Sequence, residues 1–357
     1  MQRLGAVTHN HMDSNDGVAI APGFRAAIAE SVRFVGATAP NPPVGCAILD
    51  AEGEILAVAA HHRAGQLHAE ALALHICREA GLLDRAATAL VTLEPCNHTG
   101  RTGPCTEAIL ASPVRTVWIG AADPNPRVAG GGEARLREAG LEVRRCNPQD
   151  ELGLDCAALI APFALAARQG RPWITVKQAL DASGSMIPPA GAKTFTGPDA
   201  LLLAHRLRRA TDAILTGMGT ILADSPHFTV RHVPDHPDRR RILAIVDRSA
   251  RLPDAYRREA AARGFMLHTA PDIPSLLQKL GQEGVLWAMV EGGPRLLADI
   301  ERHQLWDDWL TIRNGARDRL TVRTRTPDTP LRLIEGITPD ALASSPVTRG
   351  APCSPVS

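Results

Sequence analysis

Short apolar runs alternate with longer amphipathic stretches along most of the chain. In the first half, the apolar runs predict strands at residues 44–49, 55–60, 89–93, 114–119 and 141–144. Apolar residues that return at helical spacing predict helices at 24–34, from residue 68, from residue 105 and at 133–139. Strands that alternate with helices at this spacing indicate an α/β layer with helices on the faces of the sheet.

A second series of the same kind follows a long alanine-rich helical stretch at residues 150–169. Gly170 ends that stretch and Pro172 follows two residues later, which is typical of a helix stop before a new extended segment. The second series predicts strands at 173–178, 213–216, 242–246, 265–268 and 285–290, and helices at 199–209 and 273–283. Beyond Arg313 the alternation decays into sequence rich in Arg, Thr and Pro.

These patterns divide the chain into five segments. They predict a flexible N-terminus at 1–20, a first domain at 21–149, a connecting helix at 150–171, a second domain at 172–343 and a disordered tail at 344–357. Both domains are expected to be α/β.

The composition of the 357-residue chain fits two buried cores and narrows its partners. Hydrophobic residues make up 45 % and charged residues 22 %, which excludes a coil-like chain. Thirty-nine basic against 38 acidic residues leave a formal charge of +1, so no overall field attracts nucleic acid or an anionic membrane. Since only 3 % of the residues are aromatic, few side chains could stack on single-stranded bases. Neither nucleic acid nor a membrane is an expected partner.

Cysteine usage and the N-terminal sequence indicate a reducing compartment. Seven cysteines, an odd number spread over a long chain, do not form the dense framework of a small secreted protein. The first 20 residues carry histidines and aspartates rather than a basic stretch followed by an apolar run, and no segment reaches about 18 apolar residues. A cytoplasmic location is expected.

The strongest chemical signal is His68-Ala69-Glu70, followed by Pro95-Cys96 and, after eight intervening residues, by Cys105. One imidazole and two thiolates would give a zinc ion three protein ligands and leave a fourth position for water, as in catalytic sites. Zinc lowers the pKa of such a water to about 7. Glu70 can then take the water's proton and deliver it to a nitrogen that leaves as ammonia. The pattern matches the zinc deaminase signature except in the spacing of its last two cysteines.

Two other classes of protein share parts of this pattern. A deaminase that acts on nucleic acid uses the same zinc and glutamate, but it must also bind the phosphates beside a flipped base, for which a charge of +1 is poorly suited. A structural zinc site would be closed by four protein ligands and would give Glu70 no role beside His68. The other cysteines have no such partners and are expected to fill the core: Cys46, Cys77, Cys146, Cys156 and Cys353.

Four motifs in this half resemble the deaminase half of the bifunctional riboflavin biosynthesis deaminase/reductase family, RibD. They are PNPPVG at 40–45, HAE at 68–70, TLEPCNHTGRTGPC at 92–105 and DPNPRVAG at 123–130. The long insert between the two cysteines is that family's own spacing. The resemblance implies a cytidine-deaminase-like three-layer domain that removes the pyrimidine amino group of diaminohydroxyphosphoribosylaminopyrimidine, a pyrimidine phosphoriboside.

The same resemblance suggests roles for polar residues near the metal ligands. Asn41 would offer an amide to the pyrimidine or the ribose, whereas His98 and Arg101 would meet the substrate's phosphate. His61 and His62 also lie near the motif and are taken as surface histidines.

Two segments of the second half place glycine-bearing turns directly after apolar runs, at residues 212–226 and 290–294. Backbone N–H groups in such turns can approach phosphates. In this order and spacing they resemble the reductase half of RibD, a dihydrofolate-reductase-like α/β domain that uses NADPH to reduce the ribosyl side chain to ribityl. The resemblance places five residues against the cofactor: Ala179, Thr220, Asp224, Gly292 and Gly293. It places five others against the phosphosugar substrate: Lys177, Arg208, Phe228, Arg231 and Glu291.

Three departures from the family's pattern leave an alternative open for the second half. Residues 181–184 read Asp-Ala-Ser-Gly where the family usually has Ser-Leu-Asp-Gly, residues 193–197 replace a Trp-Ile-Thr or Trp-Ile-Ser segment, and residues 312–317 replace an Ala-Pro-Lys-Leu-Leu-Gly-Gly segment. The leading hypothesis is zinc-dependent deamination followed by NADPH-dependent reduction. The alternative is a monofunctional zinc pyrimidine deaminase with a degenerate or redirected second domain. A homo-oligomer is compatible with the sequence, which leaves the oligomeric state open.

Overall fold

Two β-sheets, each covered by helices, form the two halves of the protein. A computed structural model describes residues 20–98, 103–125, 129–187, 196–315 and 317–343. Five predictions therefore lie outside the described residues, namely those for the N-terminus up to residue 19, Arg101, residues 193–195, Cys353 and the tail at 344–357. The mixed α/β class predicted from the sequence is confirmed.

The first half contains a five-stranded sheet. Its strands are β1 (Gly45–Leu49), β2 (Ile55–Ala60), β3 (Thr88–Leu93), β4 (Thr116–Ala121) and β5 (Glu142–Arg145), and its helices are α1 (Ile20–Val32), α2 (Ala69–Glu79), α3 (Cys105–Leu110) and α4 (Gly131–Glu138). A short 3₁₀ helix spans Leu83–Arg85. The strand order is β2-β1-β3-β4-β5, with β1 antiparallel to both neighbours and the other pairs parallel.

Alternate residues of β1 pack into two different apolar layers. Cys46 and Ile48 belong to the cluster that includes Ala73 of α2, whereas Leu49 packs in the cluster that includes Phe24 of α1. All five residues of β1 are buried because helices cover both faces of the sheet. A strand buried on both faces has no polar face, so it is visible in the sequence as an uninterrupted apolar run.

One long helix, α5 (Glu151–Gln169), leads from the first sheet to the second. Its Cys156 packs against the first half and its Ala161 belongs to an apolar cluster of the second half. A Cβ atom at Gly120 of β4 would lie 2.4 Å from Cys156 Sγ, so glycine allows the helix to approach this closely. Gly170 ends the helix with φ +67°, which confirms the helix stop predicted at this position.

The second half contains a seven-stranded sheet. Its strands are β6 (Trp173–Leu180), β7 (Ala213–Gly217), β8 (Ile242–Val246), β9 (Met266–Ala270), β10 (Trp287–Val290), β11 (Asp308–Arg313) and β12 (Arg319–Thr324). Its helices are α6 (Pro198–Ala210), α7 (Met218–Asp224), α8 (Asp254–Ala262), α9 (Ile273–Gln282), α10 (Pro294–Arg302) and α11 (Pro339–Ala343), with a 3₁₀ helix at Pro330–Leu333. The order is β12-β11-β6-β10-β7-β8-β9, and every pair is parallel except β11 with β12.

The decay of regular structure predicted beyond Arg313 is wrong for β12. This strand lies at the edge of the sheet, where exposed Arg319, Thr321 and Arg323 alternate with the inward-facing Leu320 and Val322. Only two apolar residues mark such an edge strand, which explains why its sequence resembles a polar loop. The sequence pattern also does not predict α8 or β11. Within the described residues, no helix combines the length and apolar character that crossing a membrane requires.

Candidate active sites

Three potential metal ligands converge near the carboxyl end of β3. His68 is the residue before the first turn of α2, Cys96 follows β3, and Cys105 is the first residue of α3. His68 Nδ1 lies 3.6 Å from Cys96 Sγ and 3.3 Å from Cys105 Sγ, and the three ligand atoms lie within 4.8 Å of one another. The structure therefore brings together the imidazole and the two thiols that the sequence predicts as ligands.

This set of donors fits a zinc ion. Imidazole nitrogen and thiolate sulfur are typical ligands of Zn²⁺, which binds four of them in tetrahedral geometry. Throughout the described ranges, no other His, Cys, Asp or Glu joins the group. Three ligands from the described residues would leave one coordination position of a zinc ion to a small molecule.

In the absence of a metal, the pKa of one thiol is lowered and the pKa of the other is raised. A hydrogen bond from Cys105 and another from His68 lower the pKa of Cys96 to about 4, against the opposing effect of burial. The backbone N–H of Cys105 also donates to Cys96 Sγ at 3.5 Å. The pKa of Cys105 is raised because it shares a proton with Cys96 and is buried. The hydrogen bonds from Cys105 and His68 thus favour the thiolate form of Cys96, the form that binds a metal.

Glu70 lies in the first turn of α2, beside the three ligands. Its side chain is almost fully buried, and it lines a cavity of about 630 Å³ together with His68 and Cys96. Burial raises the pKa of Glu70 to about 6, and the negative charge of Cys96 adds to the rise. A carboxyl group with such a pKa can both accept and donate a proton near neutral pH.

His61 is buried, so its assignment to the surface from the sequence is wrong. Its Nδ1 donates to the carbonyl oxygen of Leu67 at 3.0 Å, which leaves Nε2 to accept a hydrogen bond from Asn41 Nδ2 at 3.1 Å. Its ring also meets the His68 ring edge-on, with 5.1 Å between centroids. His61 thus holds the amide of Asn41 at the wall of the cavity.

The position of His61 directly after the apolar strand β2 is a sequence signal for its burial. The residue follows β2 directly, so its backbone still belongs to the sheet, and its N–H donates to Val44 O. His62 faces the other way and stacks on Phe34, with 4.0 Å between ring centroids. His62 is half-buried, so the surface position predicted for both histidines agrees better with His62 than with His61.

Glu94 was not singled out by the sequence, yet it organises one wall of the cavity. Its carboxylate oxygens accept hydrogen bonds at 3.1–3.3 Å from the backbone N–H groups of Asp123, Gly130, Gly132 and Glu133. Asp123 and Asn125, which stand on the loop held in this way, line the cavity. The signal in the sequence is an acidic residue at the end of a buried strand, where an isolated charge would be costly.

The residues expected to meet the phosphate are only partly described. His98 is exposed and lines the 630 Å³ cavity, and its contact with the phosphate stays a prediction, whereas Arg101 lies outside the described residues. The core position expected for three of the other cysteines is confirmed, since Cys46, Cys77 and Cys156 are buried. Cys146 is half-buried.

A second charged cluster lies at the carboxyl edge of the second sheet, where Glu291 follows β10. Arg208 of α6 binds it in a bidentate manner, from Nε to Oε1 at 2.5 Å and from Nη2 to Oε2 at 2.9 Å. Lys177 Nζ of β6 lies 3.4 Å from Oε2. Burial opposes the charge of Glu291, but the two cations outweigh it and lower the pKa to about 2. The structure thus brings together three of the five residues predicted to bind the phosphosugar.

The other two predicted substrate contacts have different outcomes. Arg231 is exposed, and its backbone N–H donates to His205 Nδ1 at 3.0 Å, which ties it to the helix that carries Arg208. Phe228 is 4 % exposed and packs in an apolar cluster with Ile221 and others. A substrate contact through the Phe228 ring is therefore not supported, because the ring faces the core.

The two glycine-bearing turns stand side by side, because β7 and β10 are neighbours in the sheet. Thr220 Oγ1 of the first turn accepts a hydrogen bond from Gly293 N at 3.0 Å. A Cβ atom at Gly292 would lie 2.5 Å from Leu296 Cδ2, whereas one at Gly219 would meet nothing within 4 Å. Two adjoining helix starts at the carboxyl edge of a parallel sheet fit the pyrophosphate of a dinucleotide.

The remaining predicted cofactor contacts lie on β6 and at the end of α7. Ala179 is half-buried on β6, opposite Ile312 of β11, and Asp224 is exposed at the last position of α7. In the altered loop after β6, the Asp181 carboxylate accepts hydrogen bonds from the backbone N–H groups of Ser183 and Ser185, both at 2.8 Å. Asp181 therefore closes its own turn.

Comparisons with known proteins match both halves of the chain. A family model for the cytidine and deoxycytidylate deaminase zinc-binding region matches residues 23–121, and a model for the RibD C-terminal domain matches residues 172–312. The riboflavin biosynthesis protein RibD of Aquifex aeolicus is 33 % identical over 307 residues, which cover 80 % of this chain and 83 % of that protein. The protein of the same name from Corynebacterium ammoniagenes is 36 % identical over 313 residues, covering 84 % and 89 %.

A solved structure also resembles the whole arrangement. The diaminohydroxyphosphoribosylaminopyrimidine deaminase/5-amino-6-(5-phosphoribosylamino)uracil reductase of Thermotoga maritima superposes with a TM-score of 0.72 at 29 % identity. The match covers 83 % of this chain and 88 % of that one. The three candidate ligands with Glu70 lie within the first matched region, and Lys177, Arg208 and Glu291 lie within the second.

Proposed function

This chain belongs to the RibD family of riboflavin biosynthesis proteins, and on that premise we propose that it catalyses two successive reactions. Its first half, with a cytidine-deaminase-like fold, deaminates 2,5-diamino-6-(5-phosphoribosylamino)pyrimidin-4-one. Its second half, with a dihydrofolate-reductase-like fold, uses NADPH to reduce the ribosyl side chain of the product to ribityl. The observation that carries the proposal is that one chain holds both the ligand set with its buried glutamate and the charged cluster around Glu291.

In the deamination, zinc held by His68, Cys96 and Cys105 would supply Lewis-acid activation of a water molecule near neutral pH. The carboxylate of Glu70 accepts a proton from that water while the water oxygen bonds to the ring carbon that carries the amino group. Glu70 then gives the proton to the amino nitrogen, which leaves as ammonia when the carbon–nitrogen bond breaks. The pKa of about 6 suits a group that must carry a proton in both directions.

The substrate of the first half is held by residues around the 630 Å³ cavity. Asn41, fixed by His61, presents its amide oxygen to a donor on the pyrimidine or the ribose. His98 and Arg101 lie on the segment between the two cysteines and bind the phosphate. Asp123 and Asn125, held by Glu94, face them across the cavity.

In the reduction, bound NADPH would supply a hydride to the sugar carbon that is bonded to the amino nitrogen, and the ring oxygen would take a proton from water as its bond to that carbon breaks. Thr220, Gly292 and Gly293 would hold the cofactor, with Ala179 and Asp224 at the border of its site. Arg208, Arg231 and Lys177 surround the substrate's phosphosugar, and Glu291 keeps Arg208 and Lys177 in place.

The test is to assay both reactions with the purified, zinc-loaded full chain. We expect ammonia release from the diaminopyrimidine substrate and NADPH oxidation with the deaminated product. Normal ammonia release without NADPH oxidation would support the monofunctional alternative instead. The free, scattered cysteines support a reducing, cytoplasmic setting for both reactions.

A further inference from the structure

A second cavity, of about 340 Å³, lies between the two halves and apart from the metal ligands and the Glu291 cluster. One side is formed by the end of α1, the turn after it and α5, and the other by α6 and the start of β10. Small-molecule sites in proteins are often of this size and often lie between domains. The cavity is therefore large enough for a ring system with one or two substituents.

The walls of this interdomain cavity are mainly apolar. Val35, Ala158 and Leu159 face it from the first half and α5, and Trp287 and Leu333 face it from the second half. Two of its charged residues already have partners. Arg206 pairs with Glu335 at 2.7 Å, and Asp212 is paired with Arg239 and accepts hydrogen bonds from two backbone N–H groups.

Arg209 differs from these two residues because its partners carry no charge. Its Nε donates to Pro234 O at 3.1 Å and its Nη2 donates to Arg33 O at 2.7 Å. No carboxylate in the described ranges forms an ion pair with it. Burial lowers the pKa of Arg209, the negative charge of Asp235 opposes this effect, and the charges of Arg241 and Arg33 lower the pKa further. Asp235 is itself paired with Arg241 at 2.7 Å, so Arg209 stands beside the apolar cavity without a carboxylate of the described residues in direct contact.

We propose that this interdomain cavity binds a small apolar anion, with an aromatic or aliphatic body against the apolar walls and one carboxylate or sulfonate paired with Arg209. The apolar lining accounts for the body of the ligand, and the guanidinium, whose direct partners in the described residues are two carbonyl oxygens, accounts for its charge. A ligand without the anionic group would leave Arg209 with only its two carbonyl partners.

The position of the cavity links it to the deaminase site. Thr38 and Ala39 line the interdomain cavity, and Asn41, two residues further, lines the 630 Å³ cavity. Phe163 of α5 lines both. A bound anion therefore lies behind the segment that presents Asn41, and its occupancy changes substrate binding in the first half. This second step rests on the proposed deaminase function, whereas binding itself does not.

The binding test uses the full zinc-loaded chain and the probe 8-anilino-1-naphthalenesulfonate, without substrate. We expect a saturable rise in fluorescence with one site per chain. Arg209→Met should weaken the affinity about tenfold or more, since a charge-assisted contact is lost. Ala158→Leu, which fills the cavity, should also weaken it. The matched controls are Arg258→Met and Ala261→Leu on the exposed face of α8, which should leave the affinity unchanged.

Three results would overturn the binding site: non-saturable fluorescence, unchanged affinity in Arg209→Met, or an equal loss in Arg258→Met. Arg209→Met decides the question if Ala158→Leu does not fold. For the link to the deaminase, probe at a concentration near its Kd for the wild type should change the KM for ammonia release in the wild type and should change it much less in Arg209→Met, whose site is then mostly empty. An unchanged KM in the wild type would refute the link, whereas a chain that binds the probe without any deamination would refute only the proposed function.

Discussion

Two buried glutamates show how the surroundings of a carboxyl group decide its chemistry. Glu70 and Glu291 have similar exposure, but their pKa values move in opposite directions, to about 6 and about 2. No cationic side chain of the described residues forms an ion pair with Glu70, and burial outweighs the opposing effect of the nearby His68. Glu291 is held by Arg208 and Lys177, whose charges outweigh burial. Glu70 is thus suited to move protons, and Glu291 to remain a fixed charge.

We expect Glu70→Gln to keep its zinc and lose deamination. The amide fills the same space but cannot accept the water's proton, so the rate should fall by a factor of about 10²–10⁴. Metal content per chain and ammonia release measure the two effects. Glu79→Gln, an exposed glutamate on the same helix, serves as control. Retained turnover in Glu70→Gln would refute the role of Glu70.

We expect Glu291→Gln to destabilise the fold in a pH-dependent way. The change leaves the half-buried Arg208 and Lys177 without a carboxylate, which should cost about 3 kcal/mol of unfolding free energy at neutral pH. The folded pKa of about 2 lies below the ordinary value of 4.5, so this contribution is present above pH 4.5 and is lost as the pH falls toward 2.

The measurement for Glu291→Gln is urea unfolding of wild type and variant at several pH values. The difference in unfolding free energy should shrink below pH 4.5. Glu259→Gln, an exposed glutamate on α8, should show only a small difference at every pH. A constant difference between wild type and Glu291→Gln across this range would contradict the assignment.

At the scale of elements, the strands with two buried faces are the ones that the sequence reveals. β1 and β3 are buried along their whole length and coincide closely with predicted strands. β12 has one polar face and lies at an edge, so its pattern is weak and was missed. The helix α5 was predicted to within one residue at its start because a glycine stop and an alanine-rich run mark it. The visibility of an element in the sequence thus depends on how it is buried.

The start of α4 shows how closely an element can be fitted to a site. A Cβ atom at Gly132 would lie 2.0 Å from Pro95 O, next to the ligand Cys96, whereas one at Gly131 would meet nothing within 4 Å. We expect Gly132→Ala to move the backbone around Cys96 and lower the affinity for zinc by about tenfold or more. Gly131→Ala, one residue away on the same helix, is the control.

Competition with a zinc-binding dye measures this effect in both glycine variants. Equal zinc affinity in Gly132→Ala and Gly131→Ala would show that the close packing of α4 does not position Cys96. Because neither variant alters a ligand, a difference between them reports on backbone position alone.

At the scale of the whole molecule, α5 and a few polar contacts join the halves. Arg332 binds Asp155 of α5 at 3.1 Å, and His236 Nε2 donates to Val35 O at 2.8 Å across the junction. Apolar residues of α5 pack on both sides. These contacts suggest that the two halves unfold together. The domain limits predicted at 149/150 and 171/172 stay a prediction.

We expect NADPH to protect the zinc site against heat, although it would bind in the other half. At about 100 times its Kd, NADPH should add about 2.7 kcal/mol and raise the Tm by about 4 °C. If unfolding is cooperative, zinc release and tryptophan fluorescence should shift together; four of the five tryptophans lie in the second half. A shift in fluorescence without a shift in zinc release would show independent unfolding.

The sequence by itself determined the α/β class and the order of most elements, and it predicted that His68, Cys96 and Cys105 converge near Glu70. These features depend on local patterns: apolar periodicity, a glycine stop and closely spaced motifs. Only the tertiary structure decided that His61 is buried, that Glu94 holds the loop with Asp123, and that the Phe228 ring faces the core. Each of these outcomes depends on which residues from distant segments meet, and burial and partner set the role of a polar side chain more than its own type does.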